Sequence, residues 1–272
     1  MARKKANYPL IEGLEITTLA AEGKAMGRWN DVVVFVPMTV PGDVVDVQIR
    51  CKRRRYMVGY VVRYVHKSPK RAEPFCEHFG VCGGCKWQNL PYDEQLAFKT
   101  DQVRDQLTRI GKIELPEIAP CLGSAQTRFY RNKLEFTFAD RRWQTREEIA
   151  ADAKIEAGPA AGFHIPDMFD KVLDIRLCWL QPEPSNAIRL ETKRFCIEHG
   201  YTFHNAREHT GLMRNMTVRT ASTGEVMVIV VFGSDDRPRI TALLDHLVVK
   251  FPEITSLFYI VNTKFNDSTA DL

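Results

Sequence analysis

The sequence predicts a protein of the β and α+β classes, with an N-terminal OB-like five-stranded barrel followed by an α+β domain. From Tyr8 to about Val65, five short β-branched segments are separated by turns that contain Gly or Pro. Beyond residue 90, segments with helical spacing of apolar residues alternate with short strand-like segments. The 272 residues are enough for two domains of ordinary size.

The predicted barrel strands follow one another closely. ITTLAAEGKAMGRW indicates a strand, a turn and a second strand, with Gly23 and Gly27 at tight backbone positions. DVVVFVPMTV is a third strand, and Pro41-Gly42 marks the next turn. DVVDVQIRCKRRRYMVGYVVRYV supplies two strands around a basic tip. Barrels of this type commonly bind oligonucleotides through a strand face and loops.

The second part is predicted to mix helices and strands. A helix begins at Pro91 and runs to about Ile110, with Gly111 as its stop. The later predicted elements are, in chain order, a strand in FYRNKLEFTFAD, a strand–turn–strand in AGFHIPDMFDKVLDIRLCWL that ends near Cys178, a helix in NAIRLETKRFCIEHG, a hairpin of strands 213–220 and 225–232, a helix in RPRITALLDHLVVKF and a strand in SLFYIVNTKF.

Charge is distributed unevenly along the chain. Residues 1–75 contain 14 Lys and Arg against 7 Asp and Glu, whereas the remainder contains 24 against 27. Such asymmetry indicates a basic N-terminal module that meets a polyanion, for which nucleic acid is expected; the alternative is a solvated charged surface. No apolar run reaches the roughly 20 residues of a membrane span, so we expect a cytoplasmic protein without a membrane partner.

Three of the seven cysteines lie close together, as Cys76-x5-Cys82-x2-Cys85. A tetrahedral site needs a fourth ligand, and Cys178 is the best candidate because its strand can return to this loop. Four thiolates suit either Zn²⁺ or an iron–sulfur cluster. A single C-x2-C knuckle favours the cluster, since structural zinc sites usually pair two knuckles.

Two groups of basic residues are candidate RNA contacts. The first is a run at the predicted hairpin tip, which Tyr56 follows: Lys52, Arg53, Arg54 and Arg55. Arginine can pair with phosphate and an aromatic ring can stack on an unpaired base. The second comprises Arg131 and Lys133, which alternate on one face of the predicted strand. The alternatives are an exposed charged turn for the first group and internal salt bridges for the second.

These segments together resemble the 23S rRNA (uracil-5-)-methyltransferases, within the RNA m5U methyltransferase group. EGKAMGRW and VVVFVPMTVPGDVVDV are similar to its TRAM domain, and SPKRAEPFCEHFGVCGGCKWQNLPYDEQLAFK is similar to its iron–sulfur segment. FYRNKLEF and the GFH of residues 162–164 also fit. The resemblance implies that Cys76, Cys82, Cys85 and Cys178 hold a [4Fe–4S] cluster, that S-adenosylmethionine is the methyl donor and that RNA, in particular 23S rRNA, is the partner, with no DNA partner expected.

The resemblance also implies a domain division: a TRAM RNA-binding barrel at 1–66, a central iron–sulfur domain at 67–262 and the start of a missing methyltransferase domain at 263–272. No Gly-rich strand–loop–helix for the cofactor and no loop with the family's nucleophilic cysteine is evident. We therefore expect the RNA-binding and iron–sulfur portion of a 23S rRNA uracil-C5 methyltransferase, inactive by itself and without an assignable catalytic residue. The competing interpretation is a stand-alone RNA-binding metalloprotein without catalysis.

Overall fold

The computed structural model describes residues 8–151 and 158–268. By its internal contacts the chain divides into two compact units. The first comprises Met1–Gly80 and Cys85–Ala125, and the second comprises Val81–Gly84 and Gln126–Leu272. Of the segment 263–272, in which a further domain was predicted to start, residues 269–272 lie outside the described part.

The first unit contains a six-stranded sheet in the order β1-β5-β6-β4-β3-β2. Neighbouring strands are antiparallel except for the parallel pair β4–β6. The strands are β1 (Leu10–Glu15), β2 (Thr18–Ala20), β3 (Lys24–Trp29), β4 (Val32–Pro37), β5 (Val44–Lys52) and β6 (Tyr56–His66).

The strand-rich N-terminal region is confirmed, but it contains β1 in addition to the five predicted strands. The sequence hides this strand because Gly13 has a positive φ of 64° and the pairing with β5 shifts register between Ile11 and Leu14. Such an irregularity removes the simple alternation by which a strand is read from sequence.

The first sheet curls so that β3 approaches β1. A Cβ added at Gly27 on β3 would lie 2.2 Å from the carbonyl oxygen of Glu15 on β1, so only glycine fits there. The concave side encloses a core of aliphatic side chains, including Ile11, Val34, Val45, Val47 and Ile49. Alternation of these residues with exposed ones sets the register of each strand.

The predicted helix after Pro91 is confirmed as α1 (Tyr92–Asp105), and a π-helical turn at Gln106–Ile110 extends it. Pro91 directly precedes its first residue, which suits proline because no intrahelical donor is lost there. Within the described residues, no side chain of α1 is buried.

The second unit contains a six-stranded sheet in the order β12-β11-β10-β7-β8-β9. Only the pair β11–β12 is parallel. Its elements are β7 (Lys133–Ala139), α2 (Arg146–Ala150), β8 (Ala160–His164), β9 (Val172–Asp174), α3 (Ser185–Glu198), β10 (Met213–Thr220), β11 (Val226–Phe232), α4 (Arg237–Lys250) and β12 (Ile254–Val261). The two helices and the hairpin predicted in this region are confirmed.

Helices α3 and α4 pack on one face of this sheet. The Thr192 hydroxyl of α3 reaches the sulfur of Met216 on β10 at 3.7 Å, and α4 buries Ile240, Leu243 and Leu247. Arg189 of α3 is fully buried and donates hydrogen bonds to the carbonyls of three loop or strand residues, Ala161, Ile175 and Arg176. This network fastens α3 to the β8–β9 end of the sheet.

Two strand boundaries differ from those predicted. The strand expected from Phe129 begins only at Lys133, because the Phe129 and Arg131 N–H groups donate to the carbonyls of Trp179 and Leu180. The strand expected to end near Cys178 ends at Asp174. Cys178 lies in the following loop, where its N–H donates to the side-chain oxygen of Asn186 at 2.8 Å.

Candidate nucleic-acid interface

The hairpin between β5 and β6 presents the first candidate surface, here called the basic tip: Lys52, Arg53, Arg54, Arg55 and Tyr56. The Arg53 N–H donates to the Tyr56 carbonyl at 2.8 Å and closes the turn. All five residues are exposed. The turn therefore projects four cationic side chains away from the sheet.

The charge of the basic tip is not compensated by neighbouring carboxylates. Within residues 8–151 and 158–268, no ion pair involves its Lys or Arg side chains, whereas Arg63 on β6 pairs with Asp46 at 2.8 Å. A run of like charges without internal partners attracts an anion, and each phosphate that binds releases condensed counterions. The four cations of the basic tip therefore lie together in solvent, an arrangement that favours binding of phosphate.

Two tyrosines extend the tip along β6. Tyr56 is 39% exposed, and its ring meets the edge of Phe35 with centroids 5.7 Å apart. Tyr60 is 44% exposed and, four residues further along the strand, lies on the same face. Tyr60 was not predicted from the sequence as an RNA contact. The two-residue alternation of side chains along a strand places it on the same face as Tyr56 and identifies it as a candidate.

Arg131 and Lys133 do not share a strand face as the sequence suggested, because Arg131 precedes β7 and Lys133 is its first residue. Both are exposed. The Lys133 ammonium lies 3.6 Å from the carboxylate of Glu135, and Lys133 lines an open cavity of about 380 Å³. Their role as RNA contacts stays a prediction.

All seven cysteines lie in the described part of the chain and are thiols. Burial raises the pKa of the Cys76 thiol, and the nearby Cys85 raises it further. In the second unit, the Cys82 sulfur accepts the Gly84 N–H at 3.4 Å, and Cys178 is buried. The donor chemistry therefore suits a soft metal or cluster.

The positions of these four cysteines favour a metal site less than their thiol chemistry does. Within the described ranges, no group of three or more His, Cys, Asp or Glu side chains is placed to hold a metal ion. The four-cysteine site stays a prediction from the sequence, and no catalytic or RNA-binding step is derived through it.

The parallel strand–helix–strand unit β11–α4–β12 has the connectivity on which an adenosyl cofactor can bind. A Cβ at Gly233, where β11 leads into the helix, would lie 2.3 Å from the Gly211 carbonyl oxygen. The helix N-terminus is capped by the Asp236 side chain, which accepts the Arg239 N–H. Protein backbone and an internal carboxylate occupy this position, so the unit does not fit the cofactor.

The first sheet belongs to a recognised class of module: residues 11–62 match the family model of the TRAM domain. This match covers β1 to β5 and most of β6, including the basic tip.

Relatives extend the likeness over nearly the whole chain. A protein of Bacteroides thetaiotaomicron described as an uncharacterized RNA methyltransferase is 54% identical over 93% of this chain. One of Porphyromonas gingivalis with the same description is 51% identical over 95% of this chain. In both cases the chain spans 57% of the relative's length.

A solved structure shows the same fold. The Pyrococcus abyssi tRNA (uracil-54, C5)-methyltransferase, in complex with S-adenosyl-L-homocysteine, matches 94% of this chain with a TM-score of 0.61 and 24% identity. The match spans 52% of that protein.

These comparisons correct the functional interpretation drawn from sequence. The chain was expected to be a portion that lacks its own cofactor site and nucleophile, or alternatively a stand-alone metalloprotein without catalysis. Nearly all of it instead aligns with proteins described as RNA methyltransferases. The relatives' description contradicts the expectation of a non-catalytic protein, and the activity of this chain, which spans 57% of their length, is a proposal.

None of the helices in the described ranges has the length and apolar character that crossing a membrane requires.

Proposed function

We propose that this protein is an S-adenosylmethionine-dependent RNA methyltransferase that modifies uracil at C5. The observation that carries the RNA part is the uncompensated basic tip on a sheet that matches the TRAM domain. The relatives described as RNA methyltransferases and the likeness to the tRNA (uracil-54, C5)-methyltransferase support the reaction class.

The basic tip holds the RNA backbone. Arg53, Arg54 and Arg55 pair with successive phosphates, while Tyr56 offers a ring for an unpaired base. Because bases must be unstacked to be reached for chemistry, a surface that favours single-stranded RNA suits an enzyme that acts on a base.

Uracil C5 is a weak nucleophile, so the proposed reaction uses covalent catalysis. A cysteine thiolate adds to C6, C5 then takes the methyl group, a base removes the C5 proton and the thiolate leaves. S-adenosylmethionine, when bound, would supply that methyl group from its sulfonium. Burial raises the pKa of Cys196 far above the ordinary thiol range, which excludes this residue as the thiolate.

The test is release of tritium from RNA that carries [5-³H]uridine, with S-adenosylmethionine present. Loss of the C5 proton is specific to C5 chemistry, so release that depends on the cofactor supports the proposal. Methylation without tritium release would place the methyl group at another atom. Absence of both release and RNA binding would overturn the proposal.

Among RNA classes we propose 23S rRNA as the substrate, on the resemblance of the TRAM and cysteine segments. The structural neighbour acts on tRNA, and so tRNA is the comparison. Methylation of 23S rRNA transcripts in preference to tRNA transcripts supports the assignment, and the reverse preference contradicts it.

We also propose a [4Fe–4S] cluster held by Cys76, Cys82, Cys85 and Cys178. The thiol donor set supports it. Anaerobically purified protein is expected to contain about four irons and matching sulfide per chain, with loss of both in Cys82→Ser. One zinc and no iron would refute the cluster.

A further inference from the structure

The face of the second sheet opposite α3 and α4 carries a second group of outward side chains. Cross-strand partners share a face, so the pairings Lys133–Arg219–Met227 and Glu135–Thr217–Ile229–Phe258 define two rows across β7, β10, β11 and β12. We call these seven residues the open face. Helices α3 and α4 pack on the other side of this sheet.

The open face places two like charges directly opposite each other. Lys133 and Arg219 are partners in the antiparallel pair β7–β10, and both are exposed. Directly opposed like charges destabilise a sheet. Lys133 has Glu135 at 3.6 Å, but Arg219 has no ion pair within residues 8–151 and 158–268. A bound phosphate would relieve this repulsion.

The row next to the charged pair ends in an apolar residue and an aromatic ring. Ile229 on β11 is partnered by Phe258 on β12, whose side chain is 52% exposed. An exposed aromatic ring on an open sheet face can stack on an unpaired base, while flanking cations hold the backbone.

The far end of the same face is closed. Asn215 and Val231 are buried, and Asp267 and Ser268 of the segment after β12 line the cavity beside them. Arg214 holds this segment by donating to the carbonyls of Asn262, Lys264 and Asn266. A ligand is therefore restricted to the rows of Lys133 and Phe258.

We propose that the open face is a second RNA-binding surface, on which Lys133 and Arg219 hold a phosphate and Phe258 stacks on an unpaired base. This inference rests on the proposed RNA-binding function and adds Arg219 and Phe258 to it. The two cations of this surface favour RNA over a protein partner. An apolar face that docks a protein would not keep two directly opposed cations at its edge.

The experiment measures the affinity of a fluorescein-labelled oligouridine by anisotropy as a function of salt. It uses the full chain in two backgrounds, the wild type and Arg53→Gln/Arg54→Gln/Arg55→Gln. The second background weakens the basic tip, so that residual binding reports on the open face. The test variants are Arg219→Gln, Phe258→Ala and Glu135→Gln.

The three variants have different expected signatures. Arg219→Gln weakens binding several-fold and lowers the salt slope by about 0.7 for the lost phosphate contact. Phe258→Ala weakens binding about tenfold, as the loss of one stacked base requires, with an unchanged salt slope. Glu135→Gln strengthens binding two- to threefold, because it removes the carboxylate beside Lys133.

Matched controls lie on α4, on the other side of the sheet. Lys250→Gln removes an exposed cation and Val249→Ala removes an exposed apolar side chain, and neither is expected to change affinity. Circular dichroism and thermal melting check that each variant folds. No loss of stability is expected, because the substituted side chains are exposed and Arg219→Gln removes the repulsion with Lys133.

The outcomes separate this inference from the proposed function. If the wild type binds no RNA, both fail. If the wild type binds but the open-face variants match the α4 controls, only the open face is refuted, and a protein partner for it is indicated. Cross-linking of 4-thiouridine RNA to peptides from β10 or β12 would support the surface. Cross-links confined to β5 and β6 would overturn it.

Discussion

The basic tip and the open face present cations to solvent in different ways. At the tip, four basic residues are consecutive in the chain, and a turn is enough to expose them together. On the open face, Lys133 and Arg219 are far apart in the chain, and only the antiparallel register of β7 with β10 makes them neighbours.

The two surfaces therefore depend on the rest of the fold to different degrees. The tip needs only its hairpin, so local substitutions alter its charge without altering its support. The open face exists because helices fasten the other side of the sheet and hold the strands in one register. Damage to that support is therefore expected to remove the open face as a whole.

The largest expected effect follows from removing this support. Arg189→Met leaves three backbone carbonyls without their buried donor, and we expect the free energy of unfolding to fall by about 3–5 kcal/mol. Chemical denaturation measures it. Arg194→Gln on the same helix removes an exposed cation and is expected to cost less than about 1 kcal/mol. Equal effects of the two substitutions would contradict the supporting role of Arg189.

The next effect concerns the tip. Arg53→Gln/Arg54→Gln/Arg55→Gln is expected to weaken RNA binding about 100-fold at low salt and to lower the salt slope by about two. Fluorescence anisotropy across a salt series measures both. Lys99→Gln, an exposed cation of α1, serves as the control. An unchanged slope would mean that these arginines do not contact phosphates.

A smaller effect is expected from the tip aromatic. Tyr56→Ala should weaken binding about tenfold through loss of stacking, and Tyr56→Phe should retain the wild-type affinity. If Tyr56→Phe is as weak as Tyr56→Ala, the hydroxyl rather than the ring makes the contact.

The smallest effect is a pH dependence in the second unit. Burial, together with the charge of Arg214, lowers the pKa of His204, so the folded protein takes up this proton at lower pH than the unfolded chain does. The unfolded chain takes up a proton as pH falls below about 6.5, and stability is therefore lost toward acid. We expect the unfolding free energy of His204→Gln to decline less between neutral and mildly acidic pH than that of the wild type. Parallel declines would refute this contribution.

Much of the architecture could be read from sequence because it depends on local patterns. Alternation of β-branched residues identified the strands of the first sheet, and apolar spacing with terminal Gly or Pro identified α1, α3 and α4. The consecutive arginines identified the basic tip. Missed features depend on irregular backbone, such as Gly13 in β1 and the loop that holds Cys178.

The sequence by its own periodicity and charge therefore determined the two structural classes, the order of most elements and the basic tip, since each arises from residues close together in the chain. Tertiary structure alone decided the open face. Strand register brought Arg219 opposite Lys133 and Phe258 beside Ile229, and packing of α3 and α4 left that side of the sheet exposed. Register is a property of paired strands, and no single segment encodes its partner.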